Sequence, residues 1–154
     1  MNITSPAFTD QAAIPPAYTC DGQNTSPELR FDSVPEAAVS LALIMYDPDV
    51  PKTIREDGLW VHWVLWNISP SCTGIAANSV PSGAIVGRST SNVNAYGGPC
   101  PPDGEHRYFF VLYALDTNLT IPPTSSKQEV ETAVEGHVIE TAQLMGVYTR
   151  VQST

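Results

Sequence analysis

Hydrophobic residues are distributed along this chain in two patterns. Three stretches are apolar almost without interruption: SLALIMYD (Ser40 to Asp47), VHWVLWNI (Val61 to Ile68) and RYFFVLYALD (Arg107 to Asp116). Short apolar runs rich in β-branched and aromatic residues predict strands buried on both faces. In the second, strict alternation places His62, Val64, Trp66 and Ile68 on one face and Val61, Trp63 and Leu65 on the other. Shorter strand candidates lie near Ile3, at Leu29 to Phe31 and at Ala84 to Gly87.

The other pattern has helical spacing. Val130, Ala133, Val134, His137 and Val138 fall on one helical face. Ser126 with Glu129 three residues on has the spacing of a capping box, so a helix is predicted to begin there. His137 is read as part of that packed face. The following TAQLMGVYTR (Thr141 to Arg150) is predicted as a last strand, because Gly146 and its aromatic and β-branched neighbours disfavour helix. One helix cannot cover three two-sided strands, so a second sheet must. The expected fold is all-β, a β-sandwich with a peripheral helix towards the C-terminus, with residues 1–154 as a single domain. Fourteen prolines, the last of them Pro123, mark the region before the helix as strands and loops.

Composition narrows the function. A net charge of −9 with seven Lys and Arg speaks against nucleic acid, which needs clustered cations. No apolar run approaches the roughly 18 residues of a membrane span. The N-terminus MNITSPAFTD has neither the basic start nor the apolar core of a signal peptide, so a cytoplasmic protein is expected. Cys20, Cys72 and Cys100 show no CxxC spacing; three thiols, or one bridge and one thiol, both fit.

Three strand ends carry polar residues that a core would not choose. Asp47 and Asp49 leave the first strand, His62 opens the second, and His106 and Tyr108 open the third behind the loop GGPCPPDGE (Gly97 to Glu105). Antiparallel neighbours would bring these five side chains to one sheet edge. There they could form a metal site. Alternatively they could form an anion pocket, in which the aspartates hold the imidazoles charged or accept a proton from the ligand. The Gly97-Gly98 turn favours the pocket, since its amides could add donors as an anion-binding nest. Arg107 is read as a partner for a carboxylate. Nucleophilic catalysis has little support, as there is no G-x-S-x-G elbow and Cys100 has no base at fixed spacing.

At these residues the chain resembles the phosphatidylethanolamine-binding protein family, in its bacterial and archaeal Raf-kinase-inhibitor-like branch. The motifs are YTCDGQNTSPEL (Tyr18 to Leu29), YDPDVP (Tyr46 to Pro51), WVHWVLWNI (Trp60 to Ile68), YGGPCPPDGEHRYFFVLYALD (Tyr96 to Asp116) and GHVIETAQLMGVY (Gly136 to Tyr148). The resemblance implies a large central antiparallel sheet flanked by a smaller one. It also implies a pocket for phosphate-like anions such as a phospholipid headgroup. Asp47, Asp49, His62, Gly98, Pro99, His106 and Tyr108 match the pocket motifs, and Pro51 and Trp60 match wall positions. Cys100 stands where animal members carry a second proline. In the family fold its loop and that of Cys20 flank the pocket, which implies a Cys20–Cys100 bridge. The animal members' C-terminal helix has no counterpart in these residues, so their partner-regulating role is not carried over. Family members share the pocket and differ in what they do, so the resemblance leaves the function open; the expectation is a non-enzymatic anion-binding protein with no cofactor, metal or catalytic group. An inhibitor acting on a kinase or protease through its surface is the alternative. A hydrolase using His62 and His106 is a further one. A protein target and a homodimer stay open.

Overall fold

A computed structural model describes residues 1–150 and contains two antiparallel sheets, one α-helix and a 3-10 turn at Pro16–Tyr18. The larger sheet has five strands in the order β6 (Ile85–Val86), β4 (Trp60–Ile68), β3 (Ser40–Asp47), β7 (His106–Leu115) and β8 (Val138–Tyr148). The smaller has β1 (Asn2–Thr4), β2 (Leu29–Asp32) and β5 (Gly74–Ile75). The two-residue β5 carries no hydrophobic pattern and was not among the expected strands.

The sheets pack face to face as the sandwich requires. Leu41, Leu43 and Met45 of β3 and Tyr108, Phe110 and Leu112 of β7 meet Ile3, Leu29 and Phe31 of the small sheet in one core. On the other face of the large sheet, Ala42, Ile44 and Trp66 pack against Val130 and Val134 of α1 (Lys127–Val134). An eight-residue helix cannot cover that whole face, so Phe109, Val111 and Tyr113 of β7 stay half-buried. Among the described residues no helix is long and apolar enough to cross a membrane.

Two sequence expectations fail here. The expected helical face runs through Val138, yet the helix ends at Val134, where Glu135 and the left-handed Gly136 (φ 78°) turn the chain. Val138 instead pairs with Leu115 at the start of β8. His137 accordingly leaves the apolar face and bonds Asp116 at the surface, with Nδ1 to Oδ1 at 2.7 Å. The gain is a β7–β8 ladder that runs from Tyr148 to Val138, and its backbone bonds outweigh one more helical turn. At the other end of the helix Glu129 accepts the backbone N–H of Ser126, as the capping reading anticipated.

The second failure concerns β4, whose alternation is not strict. Tyr46 faces Val61 and Met45 faces Trp63, so His62 is an extra residue opposite β3, a β-bulge. A second irregularity separates Leu65 from Ile68, where Asn67 adopts φ 55°. Val64 and Trp66 therefore join Val61 on the helix side, while Trp63, Leu65 and Ile68 face the small sheet. His62 parts from Val64 and Trp66 and lies against Tyr108 on the inner face, with ring centroids 5.3 Å apart.

Candidate functional site

Antiparallel register builds the site. Asp47 pairs with Trp60 across β3 and β4, and Tyr46 pairs with Phe109 across β3 and β7. The end of β3 and the starts of β4 and β7 therefore share one edge of the large sheet, on the face that looks towards the small sheet. Alternation along β7 turns His106 and Tyr108 inward and Arg107 outward.

His106 is enclosed. Its Nδ1 lies 2.6 Å from Asp47 Oδ2 and its Nε2 lies 2.9 Å from Asp103 Oδ1. Burial opposes charge on this ring, but the two carboxylate bonds outweigh it and raise its pKa above the ordinary histidine value. Asp103 was not among the expected residues. Its signal is local: Asp-Gly-Glu-His, with Gly104 left-handed at φ 51°, is a turn that folds the aspartate back onto the histidine three residues later.

His62 is the opposite case. Its Nδ1 lies 2.7 Å from the carbonyl oxygen of Gly97, which can only accept, so Nδ1 carries the proton. Burial lowers its pKa, opposed in part by that bond. The ring is neutral and presents Nε2 as a lone pair. The expectation that both imidazoles are held charged therefore divides: its surroundings push His106 towards the charged form and His62 towards the neutral one.

Tyr108 supplies the third group. Its hydroxyl is fully buried and has no hydrogen-bond partner among the described residues. Burial, and then the adjacent Asp47 carboxylate, push the phenol far above its usual pKa, so it stays protonated. These groups meet at a cavity of about 340 Å³. Asp47, His62 and Tyr108 form its polar part; Val50, Ile54 and Trp60 line it with apolar surface. The Cys20–Cys100 disulfide (Cα–Cα 5.4 Å) and Gly98 complete one wall, and Cys72 is free.

Four of the expected residues lie elsewhere. His106 sits behind Asp47 rather than on the cavity surface. Asp49 turns to Arg107, accepting its backbone N–H at 2.9 Å and its guanidinium at 2.9 and 2.8 Å, and these bonds lower the pKa of its carboxyl. It does not line the cavity, because the side chain next but one to Asp47 follows Arg107 to the outer face. Pro51 and Pro99 act through their carbonyls, which accept Ile54 N–H at 2.8 Å and Cys20 N–H at 3.1 Å. Residues the sequence did not single out also line the cavity: Asn24, Val50, Ile54, Ser91 and Pro102. Asn24, Val50 and Pro102 lie inside the motifs quoted above, whereas nothing local marks Ile54 and Ser91, which come from separate loops.

The glycine turn also departs from expectation. Gly97 N–H donates to His62 O at 3.1 Å and Gly98 N–H to Asn24 Oδ1 at 2.8 Å, so neither amide is offered to a ligand. Gly98 is required for a different reason. A Cβ there would stand 2.3 Å from Tyr18 O and 2.4 Å from Asn24 Oδ1, so its role is close packing of two loops. A larger open groove, about 790 Å³, lies between the start of α1 and residues 88–92, but it gathers no comparable cluster. Its Arg55 and Lys127 pair with Asp57 and Glu131, while Nε of its Arg88 is buried without a hydrogen-bond partner among the described residues.

The family model described as phosphatidylethanolamine-binding protein matches residues 4–149. A UPF0098 protein of Methanothermobacter thermautotrophicus is 49% identical over 155 residues, spanning 97% of this chain and 99% of its own length. One of Chlamydia pneumoniae is 50% identical over 148 residues, spanning 96% and 98%. The crystal structure of a phosphatidylethanolamine-binding protein homologue from Chlamydia trachomatis superposes with TM-score 0.94 at 44% identity, covering 97% of both chains. That of an Escherichia coli protein described as a new member of the mammalian family gives 0.88 at 30% identity, covering 97% and 98%.

Proposed function

The chain belongs to the phosphatidylethanolamine-binding protein family, and from that membership we propose that it is a binding protein whose cavity takes a small phosphate-like oxyanion, free or as a headgroup. One observation carries this reading: the Tyr108 hydroxyl is buried against the Asp47 carboxylate without a hydrogen bond of good geometry, in the cavity that His62 also lines. A buried hydroxyl left unpaired costs about 1–3 kcal/mol, which a ligand that accepts from it would recover. A cavity of about 340 Å³ suits a ligand of headgroup size. Binding rather than turnover is supported by His106, whose two ring nitrogens are both committed to carboxylates. An acid–base pair made of His62 and His106 would lack one working member.

Calorimetric titration with inorganic phosphate tests the reading, with Tyr108→Phe as the variant. The variant should bind about tenfold or more weakly, in keeping with the loss of one hydrogen bond to a charged group, while its unliganded stability is unchanged or raised. His137→Ala, at the far surface, should bind as the parent does. Wild-type protein that gives no heat with phosphate, and no retained anion in native mass spectrometry, would remove the reading.

A further inference from the structure

We infer that the open groove beside α1 is a docking site for an extended, acidic peptide segment of a partner protein, with Arg88 as the anchor for one of its carboxylate side chains. The groove is separate from the oxyanion cavity, and the inference does not depend on that reading.

Arg88 is the cation that the fold leaves unpaired. Of the seven Lys and Arg residues, Arg30, Arg55, Arg107, Lys127 and Arg150 each face a carboxylate. Lys52 is exposed, whereas Arg88 is half-buried in the wall of the groove. Its Nε is sealed from solvent without a partner, and among the described residues no carboxylate pairs with the guanidinium. A chain with sixteen Asp and Glu could have supplied one. A partly desolvated charge with no counter-ion is unfavourable. A carboxylate from outside, taking the two terminal nitrogens end-on, would relieve it.

The site is prebuilt. Gly87 N–H donates to Val64 O at 2.8 Å, Arg88 N–H to Ser125 O at 2.8 Å and Thr90 N–H to Val61 O at 2.9 Å. These bonds staple the segment to β4 and to the turn before α1. A Cβ at Gly87 would stand 2.4 Å from Trp66 Cζ3 and 2.6 Å from Ser125 O, so the backbone is pressed against both. Little ordering is left for binding to supply.

Shape and lining select the partner. The groove follows α1 along its length, from Thr124 to Glu135. Eight helical residues rise about 12 Å, the span of about four residues of extended chain. Leu59 and Val61 give the groove an apolar patch. Asn92 and Gln128 bring side-chain amides, which can both donate to and accept from a peptide backbone.

Charge favours a carboxylate over a phosphate. Arg55 and Lys127 are matched by Asp57 and Glu131, and Glu129 accepts the Ser126 N–H. One free positive charge therefore stands among carboxylates. A single negative charge is matched there. A phosphate dianion would face those carboxylates, Glu135 included, with one free cation in return.

The test selects a random octapeptide phage library on the wild-type chain, with counter-selection on Arg88→Gln. Enriched sequences should share an Asp or Glu beside an aliphatic residue. The best of them, made as an amidated synthetic peptide, should lose about tenfold or more in calorimetric affinity when its acidic residue becomes the amide. Arg88→Gln should cost as much, with no further loss when both are changed. Arg88→Lys keeps the charge without the fork and should fall between. Both variants should melt as the wild type does, because no internal partner is lost. No enrichment over Arg88→Gln, or enriched sequences without an acidic residue, would overturn the inference. So would a phosphoserine peptide that binds more tightly than its Glu counterpart. A large fall in the melting temperature of both variants would do the same, since Arg88 would then belong to the fold.

Discussion

His106 and Asp47 form a buried pair, 2.6 Å from Nδ1 to Oδ2, with side chains 3% and 4% exposed. The pair locks the end of β3 to the start of β7 and fixes a carboxylate that lines the cavity. The folded pKa of His106 is raised above its ordinary value of 6.5. Its contribution to stability is therefore fully present below that value and is lost as pH rises through the folded one. Urea unfolding at about pH 6 and about pH 9 should show this loss in the wild type and not in His106→Ala. At the lower pH the variant should be less stable by about 3–5 kcal/mol, since Asp47 is left as an unpaired buried charge. Equal pH dependence in both proteins would show that the pair does not carry it.

The tautomer of His62 is directly measurable. Nitrogen chemical shifts at neutral pH should report a neutral ring protonated at Nδ1 for His62 and a doubly protonated ring for His106. As acid is added, His62 should take up its second proton only below the ordinary histidine value of 6.5. An Nε2-protonated His62 would contradict the bond to Gly97 and the acceptor role with it.

Gly98 and Gly97 are neighbours with opposite tolerances. A Cβ at Gly98 has Tyr18 O, Asn24 Oδ1 and Thr19 Cα within 2.9 Å, two of them backbone atoms. At Gly97 the nearest atom is His62 O at 4.0 Å. Gly98→Ala should lower stability by about 1–3 kcal/mol and displace the cavity wall, weakening phosphate binding. Gly97→Ala should leave thermal unfolding close to that of the wild type. Parallel melting curves of the two variants check the contrast, and equal effects would refute it.

Cys20 and Cys100 close a loop with a sequence separation of 80. Chain entropy makes such a bridge worth about 4–5 kcal/mol, and Cys20→Ser with Cys100→Ser should lose an amount of that order in denaturant unfolding. The two loops remain joined by Cys20 N–H on Pro99 O, Gly98 N–H on Asn24 Oδ1 and Tyr96 hydroxyl on Tyr18 O, so the double variant should still fold. Thiol titration of the unfolded, unreduced wild type should find one free cysteine, Cys72. Finding three would mean the bridge does not form in the purified protein.

By itself the sequence determined the three central strands, their burial on both faces and the need for a second sheet. Runs of apolar residues are local features, and the cost of exposing them leaves few arrangements. It also determined that Asp47, His62, His106 and Tyr108 stand at strand ends, which antiparallel pairing brings together. Tertiary structure alone decided how each of them is used. The bulge at His62 arises from the register between β3 and β4, a relation between distant residues, and it turns that ring away from Val64 and Trp66 and against Tyr108. The proton on His62 is set by a carbonyl thirty-five residues away, and the charge on His106 by carboxylates from two separate segments. Asp49 sits next but one to Asp47 and is drawn out of the site by Arg107. Helix or strand at Val138 was likewise settled by the ladder with β7. Hydrophobic burial is read from local composition, whereas hydrogen-bond direction and protonation depend on partners brought into contact only when the chain folds.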